Sequence, residues 1–121
     1  MGKFVVRMSA AGFHFVLKAG NGEIIGTSES YTAKPACLNG IASVRTNAPV
    51  AALEDQTAGG AEEKNPRFEV YVDRKGEYRF RLTAKNGEKI LASEGYKTKP
   101  ACLGGVESVR RNAPDAEVTE E

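Results

Sequence analysis

Hydrophobic and polar positions alternate from Lys3 to Met8, with Phe4, Val6 and Met8 on one side and Val5 and Arg7 on the other. This is the period-two signature of a half-buried strand. It returns from Arg67 to Val72, where Phe68, Val70 and Val72 share a side. Phe13 to Ala19 and Tyr78 to Ala84 give the clearest strands. Phe13, Phe15, Leu17 and Ala19 match Tyr78, Phe80, Leu82 and Ala84 on one face, and His14, Val16 and Lys18 match Arg79, Arg81 and Thr83 on the other. Asn21-Gly22 and Asn86-Gly87 follow, and Asn-Gly between alternating segments predicts hairpins in which both residues take positive φ. Third strands are predicted over Glu23 to Thr27 and Glu88 to Ala92, with Ile25 and Ile90 facing inward.

After Tyr31 and Tyr96 the period lengthens. Cys37, Ile41, Val44 and Ala48 make one helical stripe, repeated by Cys102, Val106, Val109 and Ala113. Thr98 is expected to cap the second helix, with Pro100 tolerated in its first turn, and Ala33 offers the first helix no cap. Asn47-Ala-Pro and Asn112-Ala-Pro are expected to stop the helices, with Asn in the left-handed region and Pro forcing the alanine before it out of helical geometry. Gly40 and Gly105 weaken helix propensity by about 1 kcal/mol each, and a small residue there lets the helix lie close on the sheet. Short closing strands are expected at Val50 to Leu53 and Asp115 to Val118.

These elements are one text written twice. A shift of 65 positions superimposes 23 of 37 residues from Phe15 to Ala51. Each unit reads β-β-β-α-β, repeat 1 over residues 3–55 and repeat 2 over 67–119, joined by a flexible linker at 56–66 without periodicity. A unit of this size has little core of its own. Two units sharing one sheet relieve that and cover each other's inner edges, so an α+β fold with both helices on one face of a mostly antiparallel sheet is expected within one pseudo-twofold domain.

RFEVYVDRKGEYRFRLTAKNGEKILASEGYKTKPACLGGVESVRRNAP and its earlier copy resemble the tandem-repeat domain of the YegP-like family, small bacterial proteins of uncharacterised function. The resemblance covers nearly the whole chain. It implies one continuous sheet whose C-terminal strands are exchanged between units, and it brings no activity, cofactor or catalytic residue. The first copy departs from the family pattern at Met8 to Gly12 and at Ala33, which bears on whether both copies present equivalent surfaces.

Composition narrows the chemistry. Seventeen basic and sixteen acidic residues leave a net charge of +1, so bulk charge draws neither nucleic acid nor membrane. No apolar run reaches membrane-spanning length, and the start lacks a secretion signal, so a cytoplasmic protein is expected. His14, the single histidine, faces outward where repeat 2 has Arg79, and no His/Cys/carboxylate spacing or phosphate loop suggests catalysis, a metal or a cofactor. Enzymatic activity is not expected.

Three candidate features remain. Cys37 and Cys102 sit in the first helical turns beside Lys34 and Lys99, which makes a redox-sensing thiol the third-ranked function, though each also lies on the apolar stripe. Lys34, Arg45, Lys99 and Arg110 form a candidate anion site at the helices; the competing expectation is a plain junction in which Glu29 pairs with Lys34 or Arg45. The helix-free sheet face is the candidate interaction surface. In repeat 2 it carries Tyr71, Arg79, Arg81 and Lys89, the composition of a single-strand nucleic-acid platform. In repeat 1 it carries Val5, Val16 and Ile24, which suit a protein contact or self-association. An interaction or structural module is the leading expectation, with a protein partner ahead of nucleic acid.

Overall fold

The computed structural model describes residues 2–59 and 62–121. Gly60 and Ala61 of the expected linker lie outside the described residues. The elements run β1 (Lys3–Ser9), β2 (Gly12–Lys18), β3 (Ile24–Thr27), α1 (Lys34–Asn47), β4 (Ala52–Asp55), β5 (Arg67–Val72), β6 (Tyr78–Thr83), β7 (Lys89–Ala92), α2 (Lys99–Asn112) and β8 (Glu117–Glu120). Eight strands form one sheet in the order β4-β5-β6-β7-β3-β2-β1-β8. The inner pairings are antiparallel, whereas β8 lies parallel to β1 and β4 parallel to β5. Each repeat therefore gives its last strand to the other, as the family resemblance implied. The closing strands start two residues later than the pattern suggested, because Ala51 and Ala116 are buried at the helix exit before pairing begins.

Alternation and helical stripe meet in a single core that draws on both repeats. Phe4, Phe15, Phe68 and Phe80 are fully buried, as are Cys37, Val44, Cys102 and Val109 from the helices. Burying a side chain of that size contributes roughly 1.5–3 kcal/mol. Phe4 meets Phe15 edge-on at 5.7 Å, and Phe68 meets Phe80 likewise at 6.0 Å. Tyr31 stacks on Phe15 at 6.4 Å and places its hydroxyl against Gly40, as Tyr96 does against Gly105. The helix glycines thus make room for a tyrosine hydroxyl and also for a sheet ring, since a Cβ on Gly40 would lie 3.1 Å from Phe15 and one on Gly105 would lie 2.9 Å from Phe80. Met8 follows the strand alternation but is 75% exposed next to the β1–β2 turn, so it is not a core residue.

Local geometry departs from expectation at two kinds of stop. No non-glycine residue among the described ones has positive φ, so Asn21 and Asn86 are not left-handed; within these two turns only the glycines are, Gly22 and Gly87 each at φ 87°. Gly22 N–H donates to Ala19 O at 2.9 Å and Ala19 N–H to Glu23 O at 2.8 Å, which makes a three-residue loop with a glycine bulge. Asn21 contributes through its side chain, whose Oδ1 accepts from Glu23 N–H at 3.0 Å. At the helix ends, Asn47 is helical and its amide donates to Ser43 O at 2.8 Å, while Ala48 stays helical at φ −56°, ψ −45° and donates to Val44 O. The helix stops because Pro49 has no N–H to continue it. Thr98 Oγ1 accepts from Ala101 N–H at 3.2 Å, and Ala33 makes no such cap.

Candidate functional site

One sheet face lies under both helices, and the other carries no second layer. Its middle row takes one residue from every strand, since the pairings align Glu54, Glu69, Arg81, Ala92, Thr27, Val16, Val5 and Thr119. The repeat 1 half of this row carries no charge, whereas the repeat 2 half holds Glu54, Glu69 and Arg81. Val5 and Val16 are 4% and 2% exposed, so they cannot anchor a partner as the sequence suggested; of the three apolar candidates only Ile24 is exposed. The reason is their place: mid-row, they have Thr119 and Thr27 as cross-strand neighbours, with Lys3, Lys18, Arg7 and His14 in the adjoining rows.

In repeat 2, Glu69 is 4% exposed and holds two arginines. Arg67 Nη2 reaches Glu69 Oε2 at 2.5 Å, and Arg81 Nε donates to Glu69 Oε1. Burial works to raise the Glu69 carboxyl, but bonds from Arg81 and Arg67 outweigh it and hold the group below the ordinary glutamate range. Arg67 also reaches Glu54 at 3.7 Å and donates to Glu63 O at 2.7 Å, while Glu63 N–H donates to Glu54 Oε1 at 2.7 Å. The segment entering β5 is therefore tied to the sheet. Arg81 lies over the Tyr71 ring at 4.4 Å, and Arg79 pairs with Asp73 at 2.6 Å. The Arg79 bond, joined by the Glu77 N–H, holds the Asp73 carboxyl low.

The arginines of the expected nucleic-acid platform are thus already satisfied within the chain, and its one tyrosine has a guanidinium on its ring. Lys89 is exposed. It has no carboxylate partner among the described residues, and neither do Lys3 and Lys18 of the same face. Sequence reasoning overlooked Glu69, although a lone acid between Phe68 and Val70 on the side opposite them, facing Arg81 in the neighbouring strand, was the available signal.

The helix-start cations are not gathered into one site. Lys34 pairs with Glu120 at 2.6 Å and Lys99 with Asp55, so each helix start grips the strand received from the other repeat. The Lys99 bond, helped by Thr57, keeps the Asp55 carboxyl low. Arg45 lies over Phe4 at 5.6 Å and donates to Ala116 O, and Arg110 lies over Phe68 at 5.1 Å. Lys34 pairs with Glu120 where the sequence offered Glu29, because strand exchange brings β8 alongside α1.

Both thiols are fully buried. Burial raises Cys37, and burial followed by the Asp55 charge pushes Cys102 up to about 11. Helix position does not prevail over desolvation, so neither thiol is poised to react. An open cleft of about 450 Å³ runs between α1 and the β6–β7 turn, lined by Asn39, Ser43, Thr46, Asn47 and Asn86 with Lys85 its one charged group. No histidine, thiol or carboxylate reaches it, and no cluster of metal-ligating side chains occurs among the described residues. No helix there is long and apolar enough to cross a membrane.

Fold and surface together define a duplicated, strand-exchanged α+β protein. The family model described as a domain of unknown function, DUF1508, matches twice, at residues 9–55 and 73–120, and the chain belongs to that family. The chain is 42% identical over 115 residues to a UPF0339 protein of Bordetella pertussis, covering 95% of this chain and 91% of that one. A 48-residue stretch, 40% of the chain, is 69% identical to a UPF0339 protein from the ptx operon 5′ region of Stutzerimonas stutzeri, so the match spans 43% of that relative. The solution structure of the protein of unknown function YegP from E. coli is 37% identical with a TM-score of 0.81, over 99% of this chain and 92% of that one.

Proposed function

We propose that the chain is a non-enzymatic interaction module of the cytoplasm that receives an acidic protein segment on the helix-free face of its sheet. The observation that carries this is the charge state of that face. Its arginines are neutralised internally by Glu69, Asp73 and Glu121, while Lys3, Lys18 and Lys89 have no carboxylate partner among the described residues. Unpaired lysines on a flat sheet attract carboxylates and set encounter rate and register more than raw affinity. A protein segment fits better than single-stranded nucleic acid, because stacking needs free aromatic faces and Tyr71 is engaged by Arg81. The two unpaired, buried cysteines suit a reducing compartment.

Capture from a cell lysate tests this, with wild type and a Lys3→Glu, Lys18→Glu, Lys89→Glu variant as baits and nuclease in a parallel arm. Protein retained by wild type, insensitive to nuclease and lost from the variant is the expected result. Retention abolished by nuclease, together with direct binding of a labelled oligothymidylate at low salt, would replace the protein partner by nucleic acid. Equal retention by both baits would remove the face from consideration.

A further inference from the structure

The repeats meet directly at the seam between β3 and β7, where Thr27 stands opposite Ala92. Position 92 is position 27 shifted by one repeat, so this antiparallel pair lies on the pseudo-twofold axis, and residues one step away face their equivalents diagonally across it. On the core side the equivalent positions that meet diagonally are Gly26 and Leu91. A Cβ on Gly26 would lie 2.6 Å from both Cγ and Cδ2 of Leu91, so the leucine fills the space a side chain at position 26 would need. Leu91 is 2% exposed, and the helices close over the seam from both sides, α1 touching β7 and α2 touching β3.

We propose that this seam is a partner-selecting interface: the recess at Gly26 accepts a strand with leucine at the equivalent position, which is repeat 2, and discriminates against a second copy of repeat 1. Repeat 2 paired with its own copy would place two leucines in one space, and repeat 1 paired with its own copy would leave that space empty. Either outcome is penalised in a close-packed interior. The flanking core residues Leu17 and Leu82, Phe15 and Phe80, and Ile25 and Ile90 are alike in both repeats, so the glycine–leucine difference carries the selection.

The test uses the full chain and thermal unfolding. Gly26→Leu and Leu91→Gly are each expected to lower Tm by roughly 5–10 °C, and the exchange variant carrying both is expected to recover at least about half of the larger loss. A second cycle uses smaller changes: Gly26→Ala should cost at least about twofold more in Tm with Leu91 intact than in a Leu91→Ala background. The proposal is overturned if the exchange variant fails to fold or melts no higher than the weaker single variant. Equal penalties for Gly26→Ala in the two backgrounds would overturn it as well.

Discussion

Repeats 1 and 2 place different chemistry at the same register position of the helix-free face. In repeat 1, Val5 stands opposite Val16; in repeat 2, the equivalent positions hold Glu69 opposite Arg81, with Arg67 and Glu54 completing the set. Both central positions are closed to solvent, at 4% for Val5 and for Glu69. An apolar pair of this kind needs only shape, whereas a buried carboxylate needs every one of its donors. The charged solution also binds the segment before β5 through Glu63, which the apolar one has no means to do. Duplication therefore kept the fold and freed one face to diverge.

The largest effect should come from taking away one member of the charged set. Glu69→Ala leaves Arg67 and Arg81 without their common acceptor and is expected to cost about 3 kcal/mol in urea unfolding. Transplanting the repeat 1 solution as Glu69→Val with Arg81→Val should recover most of that loss. A double variant no more stable than the single one would mean the two solutions are not interchangeable. The reverse transplant sharpens the same point: Val5→Glu buries a carboxylate beside Val16 and should cost about 2 kcal/mol, with partial rescue by Val16→Arg.

Acid separates the halves next. The Glu69 carboxyl titrates lower in the folded chain than when unfolded, so its contribution is complete above the unfolded value of about 4.3 and is lost as pH falls through the folded value. Asp55 behaves in the same sense through Lys99. Wild type should lose stability below about pH 4.3, and the variant with valines at both positions should lose less over that window. Coincident slopes in urea melts at successive pH values would show that Glu69 carries none of the acid sensitivity. The smallest contrast is between the helix starts: Thr98→Ala should cost about 1 kcal/mol, and Ala33→Thr should stabilise by about 0.5 kcal/mol, both read from thermal melts.

Much of this arrangement was legible in the residues. Two stripes spaced by four, three and four placed Cys37, Ile41, Val44, Ala48 and their equivalents in the core, and the alternation around Phe15 and Phe80 placed the strands within a residue or two. The turns were found at the right places with the wrong geometry, because Asn-Gly is compatible with more than one loop length and hydrogen bonds across the hairpin choose between them. On the site, the pattern put Arg79, Arg81 and Tyr71 on one face but could not tell that Asp73, Glu69 and one another would satisfy them. Val5 and Val16 were assigned to the right face and the wrong exposure, since exposure depends on neighbouring strands.

The amino-acid order by itself determined the unit, its duplication, which face each strand and helix turns to the core, and where the chain turns. Those follow from periods of two and of 3.6 and from local backbone preference. Tertiary structure decided what meets across units: β8 beside β1, Lys34 on Glu120, Leu91 in the space over Gly26, and a carboxylate shared by two arginines. Such contacts join residues far apart in the chain, and only closing the sheet fixes the distances on which burial, charge pairing and fit depend.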